Sequence, residues 1–167
     1  MGRKEHLEQS KMRVTIAIVV ISDSRTLNTD ESGKVAADIL RKKGHSVAEQ
    51  LIVGNDRDAI AGALSGLTRR ADIDAILTIG GTGIGKRDIT VDALSPLMEK
   101  RLEGFGEMFR MMSYKEIRTG ALMSRATAGV MGGKVVMCLP GSPEAIRLAI
   151  KRIIIPEIGH MVHEATR

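Results

Sequence analysis

Residues 75–88 read AILTIGGTGIGKRD, an apolar β-type run that ends abruptly at four glycines within six residues. Glycine permits positive φ and a close approach to the bare main chain, so consecutive N–H groups in such a loop can converge on an anion. Lys86 and Arg87 add positive charge, and Asp88 is the nearby group that can hold a metal ion or accept a proton. The alternative is a tight strand-to-helix turn with solvated charges, although such a turn needs only one or two glycines.

Around this stretch, the first half of the chain predicts alternating strands and helices. The continuous β-branched run from Val14 to Ile21 is typical of a strand buried on both faces of a largely parallel sheet. Asp30, Glu31 and Ser32 offer cap and first-turn residues for a helix that runs through 33–43 and stops at Gly44. Apolar spacing then predicts a strand over 45–53, a helix over 58–70 and a strand over 74–79. This order is the signature of an α/β fold.

The second half predicts shorter elements. In order, these are a helix over 90–97 capped by Thr90, a glycine-punctuated connection over 102–106, a helix over 107–114, an extended segment over 121–130, a strand over 134–139 and a helix from about 145 to 155 that Pro156 kinks or restarts. The cluster Met108, Met111 and Met112 is expected to fill the core or a subunit interface.

Three strand ends carry polar or glycine-rich segments: residues 22–24, 80–88 and 140–143. If their strands are parallel neighbours, these loops meet along one edge of the sheet, which is where open α/β sheets bind ligands. Asp23, Asp56 and Asp88 each follow a strand, and such oxygen ligands suit Mg²⁺-assisted phosphoryl or nucleotidyl transfer. Ser142 is either a simple helix cap or part of a second anion site.

Composition narrows the ligand class. The 167 residues suit one domain, predicted over 12–167, with a flexible N-terminal extension over 1–11. The net charge is only +5, and with one Tyr, two Phe and no Trp there is little aromatic surface for stacking bases, so small anions are favoured over nucleic acid. A lone cysteine, Cys138, and the lack of a membrane-length apolar run indicate a cytoplasmic protein that does not contact a membrane.

Two familiar phosphate-binding motifs fit the glycine stretch poorly. Gly80 to Lys86 nearly spells a P-loop, but Arg87 stands where that loop needs Ser or Thr for Mg²⁺. A dinucleotide fingerprint fails as well, because neither Gly81 nor Gly83 begins a full G-x-G-x-x-G. The loop therefore indicates a phosphate cradle of another family.

Five motifs in order resemble the MoaB/Mog family of molybdenum cofactor biosynthesis proteins, and the stand-alone MoaB proteins in particular. They are SDSR over 22–25, GGTGIGKRDIT over 80–90, GFGE over 104–107 with Arg110 and Ser113, SRA over 124–126 and LPGSP over 139–143. The resemblance covers nearly the whole chain beyond the N-terminal extension.

The resemblance implies a three-layer α/β/α sandwich with a mostly parallel sheet, assembled as a trimer or a pair of trimers. It implies a nucleotidyltransferase that uses Mg-ATP to adenylylate the terminal phosphate of molybdopterin, with release of pyrophosphate. A MoeA-type partner would then load molybdate onto the product. Asp88 would be the Mg²⁺-linked catalytic acid, and the implied binding residues are Ser22, Asp23, Gly80, Gly81, Thr82, Gly83, Arg87, Ser124, Pro140, Gly141, Ser142 and Pro143.

One position departs from the family pattern. Active relatives carry an acidic residue at the turn after the second strand, where this chain has Asn55 followed by Asp56. We expect Asp56 to take the catalytic role through a one-residue shift. The alternatives are a non-catalytic protein that binds or delivers molybdopterin, and an unrelated P-loop NTPase.

Overall fold

The computed structural model describes residues 13–167, so the predicted extension over 1–11 lies outside it. Within this range the strands are β1 (Thr15–Ile21), β2 (Ser46–Val53), β3 (Ala75–Ile79), β4 (Lys100–Arg101), β5 (Thr127–Met131) and β6 (Lys134–Leu139). The α-helices are α1 (Glu31–Lys42), α2 (Arg57–Thr68), α3 (Thr90–Leu94), α4 (Glu103–Ile117), α5 (Pro143–Ala149) and α6 (Ile155–Ala165). Two 3-10 turns, Ser95–Leu97 and Arg118–Met123, and a π-turn, Ile150–Ile154, complete the set.

The strands form one sheet in the order β2-β1-β3-β6-β5-β4. The pairs β2–β1, β1–β3 and β3–β6 are parallel, whereas β5 and β4 run antiparallel to their neighbours. The mostly parallel sheet is therefore confirmed. Because β1, β3 and β6 are parallel neighbours, the loops that follow them leave the sheet at the same edge.

Side-chain alternation along the strands builds a core on each face of the sheet. In β1, Ile16 and Ile18 pack with residues of α1, α4, α5 and α6, whereas Ala17 and Val19 pack with residues of α2 and α3. All four of these β1 residues are completely buried. The helices therefore lie in two layers around the sheet, which confirms the three-layer α/β/α sandwich.

The prediction of a connection over 102–106 is wrong, since α4 begins at Glu103 and continues through both glycines. Gly106 serves close packing rather than a break, because a Cβ there would lie 2.3 Å from the carbonyl oxygen of Ala126. The helix also exceeds its predicted end at Tyr114 by three residues and ends at Ile117. Glycine is a poor helix former in isolation, but tertiary packing overrides that preference here.

Two further predictions in this region need correction. The segment predicted as extended from Ala121 is a 3-10 turn up to Met123, and strand geometry begins only at Thr127. The edge strand β4 was not predicted because it has only two residues, both exposed and charged. Its pairing with β5 therefore leaves no hydrophobic alternation in the sequence.

The C-terminal helical segment behaves as Pro156 predicts. α5 passes through the π-turn into α6, and the proline lies in the first turn of α6. Proline has no N–H to donate to the carbonyl four residues earlier, and both proline and a π-turn are common places for a helix to bend. Among residues 13–167, no helix is long and apolar enough to cross a membrane.

Candidate functional site

The three loops at the sheet edge are in direct contact. The N–H of Gly80 donates to the carbonyl of Leu139 at 2.8 Å. A Cβ on Gly80 would lie 2.8 Å from the carbonyl oxygen of Ile21, and one on Gly141 would lie 3.6 Å from the Cα of Gly80. The loop after β3 is therefore the middle of three adjoining loops, and its glycines allow the contact on both sides.

The main chain over residues 80–83, which we call the glycine loop, has its carbonyls tied to the protein. Thr90 donates from its hydroxyl to Gly80 O at 2.8 Å and from its N–H to Gly81 O at 3.0 Å. Arg125 donates from its N–H to Thr82 O and from Nε to Gly83 O, both at 2.8 Å. Within residues 13–167, the N–H groups of Gly81, Thr82 and Gly83 have no such protein partner.

Asp88 stabilises the turn that follows the glycine loop. Its carboxylate is half-buried and accepts a hydrogen bond from the Gly85 N–H at 2.8 Å. A Cβ on Gly83 or Gly85 would lie 2.6 or 2.9 Å from Asp88 Oδ2. Some of the glycines are thus required by the fold of the loop itself, while the free N–H groups and the carboxylate remain for a ligand.

A cavity of about 360 Å³ lies beside Asp88 at the ends of β1 and β2. It brings together Ser22, Asp23, Gly81, Arg87 and Asp88, all of them predicted site residues; Ile21, Ser24 and Asn55 also line it. Ser22 is held locally, because its hydroxyl oxygen accepts the N–H groups of Ser24 and Arg25.

Asp23 is the second carboxylate of this cavity. It accepts the backbone N–H of Asn55 at 2.8 Å and the Asn55 amide at 3.2 Å, and it also pairs with Arg87. The hydrogen bonds from Asn55, followed by Arg87, hold the pKa of Asp23 below its ordinary value. The side chain is therefore anionic at neutral pH and can receive a cation.

Asn55, and not Asp56, lines the cavity. The Asp56 carboxylate accepts the N–H of Ala59 at 2.8 Å and so caps the N-terminus of α2. This is the ordinary role of Asp at such a position. The structure thus places the residue predicted to be catalytic away from the cavity and its neutral neighbour inside it.

Three other predicted binding residues meet at a second cavity. Ser124, Pro140 and Ser142 line a narrow cavity of about 100 Å³ between α4 and the β6–α5 loop. Ser142 also caps α5 by accepting the Ala145 N–H at 3.2 Å, which is one of the two roles predicted for it from the sequence. Ser124 additionally lines a wider cavity of about 740 Å³ beside α3 and α4.

The donor set suits magnesium better than a transition metal. Among residues 13–167, no three His, Cys, Asp or Glu side chains are grouped as a metal site. Mg²⁺ typically binds one or two carboxylates together with substrate phosphates and water. Asp23 and Asp88 at one cavity match that requirement, so the residues fit this ion only in company with a phosphate ligand.

Comparison with known proteins gives this geometry a family context. A family model described as a probable molybdopterin binding domain matches residues 17–160, which is most of the chain. The chain belongs to the MoaB/Mog family. It is 46% identical to molybdenum cofactor biosynthesis protein B of Bacillus anthracis, over 100% of this chain and 99% of the relative.

Solved structures of MoaB/Mog proteins have the same fold as this chain. A crystal structure of a molybdenum cofactor biosynthesis protein B has a TM-score of 0.89 at 46% identity, covering 92% of this chain and 96% of that chain. The tungsten cofactor synthesizing protein MoaB from Pyrococcus furiosus has a TM-score of 0.84 at 32% identity, covering 95% and 100%. This MoaB/Mog family member therefore has a role in molybdenum cofactor biosynthesis.

Sequence reasoning about this MoaB/Mog site missed the side chains that hold the glycine loop. Thr90 was expected to cap a helix, but Ile89 is the N-cap of α3 and the Thr90 hydroxyl donates to the loop. The sequence marks Arg125 only as part of the SRA motif over 124–126 and gives no sign that Asp92 is its partner. The available signal was an arginine immediately before a buried strand, a position where a charge needs partners.

Proposed function

We propose that this MoaB/Mog family member is a molybdopterin adenylyltransferase, which uses Mg-ATP to adenylylate molybdopterin and releases pyrophosphate. One observation carries the proposal: three consecutive N–H groups, from Gly81 to Gly83, have no hydrogen-bond partner within residues 13–167, and Gly81 lines the same cavity as Asp23 and Asp88. Free main-chain donors suit phosphate oxygens, and paired carboxylates suit the cation that accompanies a nucleotide. Family membership supports the pterin as the second substrate.

In the proposed reaction, a terminal phosphate oxygen of molybdopterin attacks the α-phosphorus of ATP. A new P–O bond forms, the bond to the β-phosphate oxygen breaks, and pyrophosphate leaves with the electron pair. Bound Mg²⁺ would supply charge neutralisation at the phosphates. The protein has mainly to position two phosphates in line and stabilise charge, so no strong base is needed.

The two halves of the site divide these tasks. The N–H groups of Gly81, Thr82 and Gly83 would hold nucleotide phosphate oxygens, with Gly80 and Gly141 keeping the loops packed together. Arg87 is 77% exposed at its side chain and could turn from Asp23 towards the departing pyrophosphate. The cavity around Ser124, Pro140 and Ser142, with Pro143 at the start of α5, would receive the pterin.

Asp23 takes the part of the second acidic group in this proposal. Asn55 orients it with two hydrogen bonds, while Asp56 is engaged in capping α2. Where active relatives are expected to carry a carboxylate, this chain therefore has an amide, Asn55, which positions the carboxylate of Asp23.

Asn55 also motivates the second candidate function, a non-catalytic protein that binds or delivers molybdopterin. The two candidates are separated by incubating the protein with molybdopterin and Mg-ATP and measuring pyrophosphate. Adenylylation predicts pyrophosphate release that requires the pterin and is abolished in Asp88→Ala, with pterin affinity retained. Tight pterin binding without pyrophosphate release would establish the second candidate.

Exposed apolar side chains on α4 and on the 3-10 turn that follows it support the proposal that the protein is a homo-oligomer, either a trimer or a hexamer. Met111, Ile117, Leu122 and Met123 are each at least half exposed, whereas Phe109 on the same helix is buried in the core. Exposed apolar side chains grouped in this way are typical of protein–protein contacts. The adenylylated product would pass to a MoeA-type partner that inserts molybdate.

A further inference from the structure

Arg125 makes contacts that the proposed chemistry does not explain. Its Nε donates to Gly83 O at 2.8 Å and its Nη2 donates to Asp88 O at 2.6 Å. Its own N–H donates to Thr82 O at 2.8 Å. One residue therefore joins both ends of the loop that runs from the glycines to the carboxylate, although it lies more than thirty residues away in sequence.

The far side of the guanidinium is fixed as well. Nη1 and Nη2 donate to the two carboxylate oxygens of Asp92 on α3, at 2.9 and 2.8 Å. This fork is the geometry that planar guanidinium groups favour and that an ammonium group cannot reproduce. The Arg125 hydrogen bonds hold the pKa of Asp92 below its ordinary value, so the fork is a fully charged pair at neutral pH.

The direction of these bonds determines where the free N–H groups point. In a trans peptide, the carbonyl of one residue and the N–H of the next point in opposite directions. Because Arg125 takes the carbonyls of Thr82 and Gly83, the N–H groups of Gly83 and Ile84 face away from it. Thr90 does the same for the N–H groups of Gly81 and Thr82 by taking the two preceding carbonyls.

We propose that Arg125 is a positioning residue for the nucleotide half of the site, which fixes the direction of the Gly83 and Ile84 N–H groups and sets the backbone of Asp88. This rests on the proposed function and deepens it, since it assigns the orientation of the last phosphate donor of the glycine loop, Gly83, to an arginine that Asp92 holds in place. Arg125 also lines the cavity of about 740 Å³, but the role proposed here is exercised through the loop.

The test compares Arg125→Gln and Arg125→Lys with a matched arginine elsewhere. Arg70 also forks a carboxylate, that of Asp72, and it lies outside the loop-edge cavities. We expect Arg125→Gln to raise the KM for ATP, and the Kd of a non-hydrolysable ATP analogue measured by calorimetry, by about tenfold or more, because charge-assisted hydrogen bonds are lost. In Arg125→Gln the KM for molybdopterin should change less than about twofold. Arg70→Gln should leave the KM for ATP, the Kd of the ATP analogue and the KM for molybdopterin unchanged.

Arg125→Lys separates orientation from charge. Lysine keeps the charge but cannot reach Gly83, Asp88 and Asp92 together, so we expect it not to rescue nucleotide affinity. If Arg125→Gln does not fold, as judged by far-UV circular dichroism, Asp92→Asn provides a milder test because it weakens the same fork. It should raise both the KM for ATP and the Kd of the ATP analogue.

Three results would overturn the inference: unchanged nucleotide affinity in folded Arg125→Gln, full rescue by lysine, or an equal loss of affinity for molybdopterin. The calorimetric measurement needs no turnover. If the wild-type protein shows no adenylylation but the variants still lose affinity for the ATP analogue, the proposed function fails while the positioning role of Arg125 stands.

Discussion

Replacing Gly81 by alanine should destabilise the protein more than replacing another glycine of positive φ. Gly81 has φ +69°, and an added Cβ would lie 2.2 Å from the Thr90 hydroxyl oxygen. Left-handed backbone costs a non-glycine residue about 1–2 kcal/mol, and displacing the buried Thr90 hydroxyl from Gly80 O adds about 1 kcal/mol or more. We therefore expect Gly81→Ala to lower the free energy of unfolding by about 2–4 kcal/mol.

Gly44 provides the control, because it has φ +87° and no heavy atom within 4 Å of an added Cβ. Gly44→Ala should therefore lower the free energy of unfolding by only about 1–2 kcal/mol, the backbone contribution. Urea unfolding followed by far-UV circular dichroism gives both values, and it suits a chain with no Trp and one Tyr. Protein concentration must be equal in both measurements, since the proposed assembly would contribute to stability. If both alanine variants lost the same stability, the contact assigned to Thr90 would be refuted.

Three further predictions concern side chains outside the proposed reaction. Asp56→Asn keeps a good helix cap and should leave pyrophosphate release unchanged, whereas Asp56→Ala should lower the free energy of unfolding by ~1 kcal/mol; loss of turnover in Asp56→Asn would restore the catalytic role predicted from sequence. Met111→Glu puts a charge on the exposed face of α4 and should reduce the assembly measured by light scattering, whereas a stable monomer in the wild type would count against oligomerisation. Burial lowers the pKa of His45, whose Nδ1 accepts the Val14 N–H. The contribution of neutral His45 to folding stability is therefore present above the ordinary pKa of 6.5 and is lost as the pH falls below it. His45→Gln, which retains an acceptor, should lose less stability than wild type between pH 7 and 5, and parallel curves would contradict this.

The sequence predicts those features that follow from local patterns. The β-branched run of β1 and the apolar run of β6 predict buried parallel strands, and the glycine and polar residues that follow them predict a ligand-binding edge. Asp30 and Gly44 mark the ends of α1 correctly, because a cap side chain and a positive φ are requirements of the local chain.

What the sequence does not predict depends on contacts between distant segments. The hold of Arg125 on Gly83 spans 42 residues and has no periodic signal. The choice between Asn55 and Asp56 depends on which of two adjacent side chains the turn directs into the cavity, and both are ordinary turn residues. Helix α4 starts early because Gly106 lets it pack closely against Ala126, a requirement that helix propensity does not include.

Following the α-phosphate of ATP tests the proposed adenylylation of molybdopterin directly. Wild-type protein is incubated with Mg²⁺, molybdopterin and ATP labelled at the α-phosphorus, with Asp88→Ala in parallel. We expect label on the pterin together with equimolar pyrophosphate, no transfer without the pterin, and no transfer by Asp88→Ala. Labelled pterin at near-normal rates from Asp88→Ala, or release of phosphate from ATP without the pterin, would contradict the proposal.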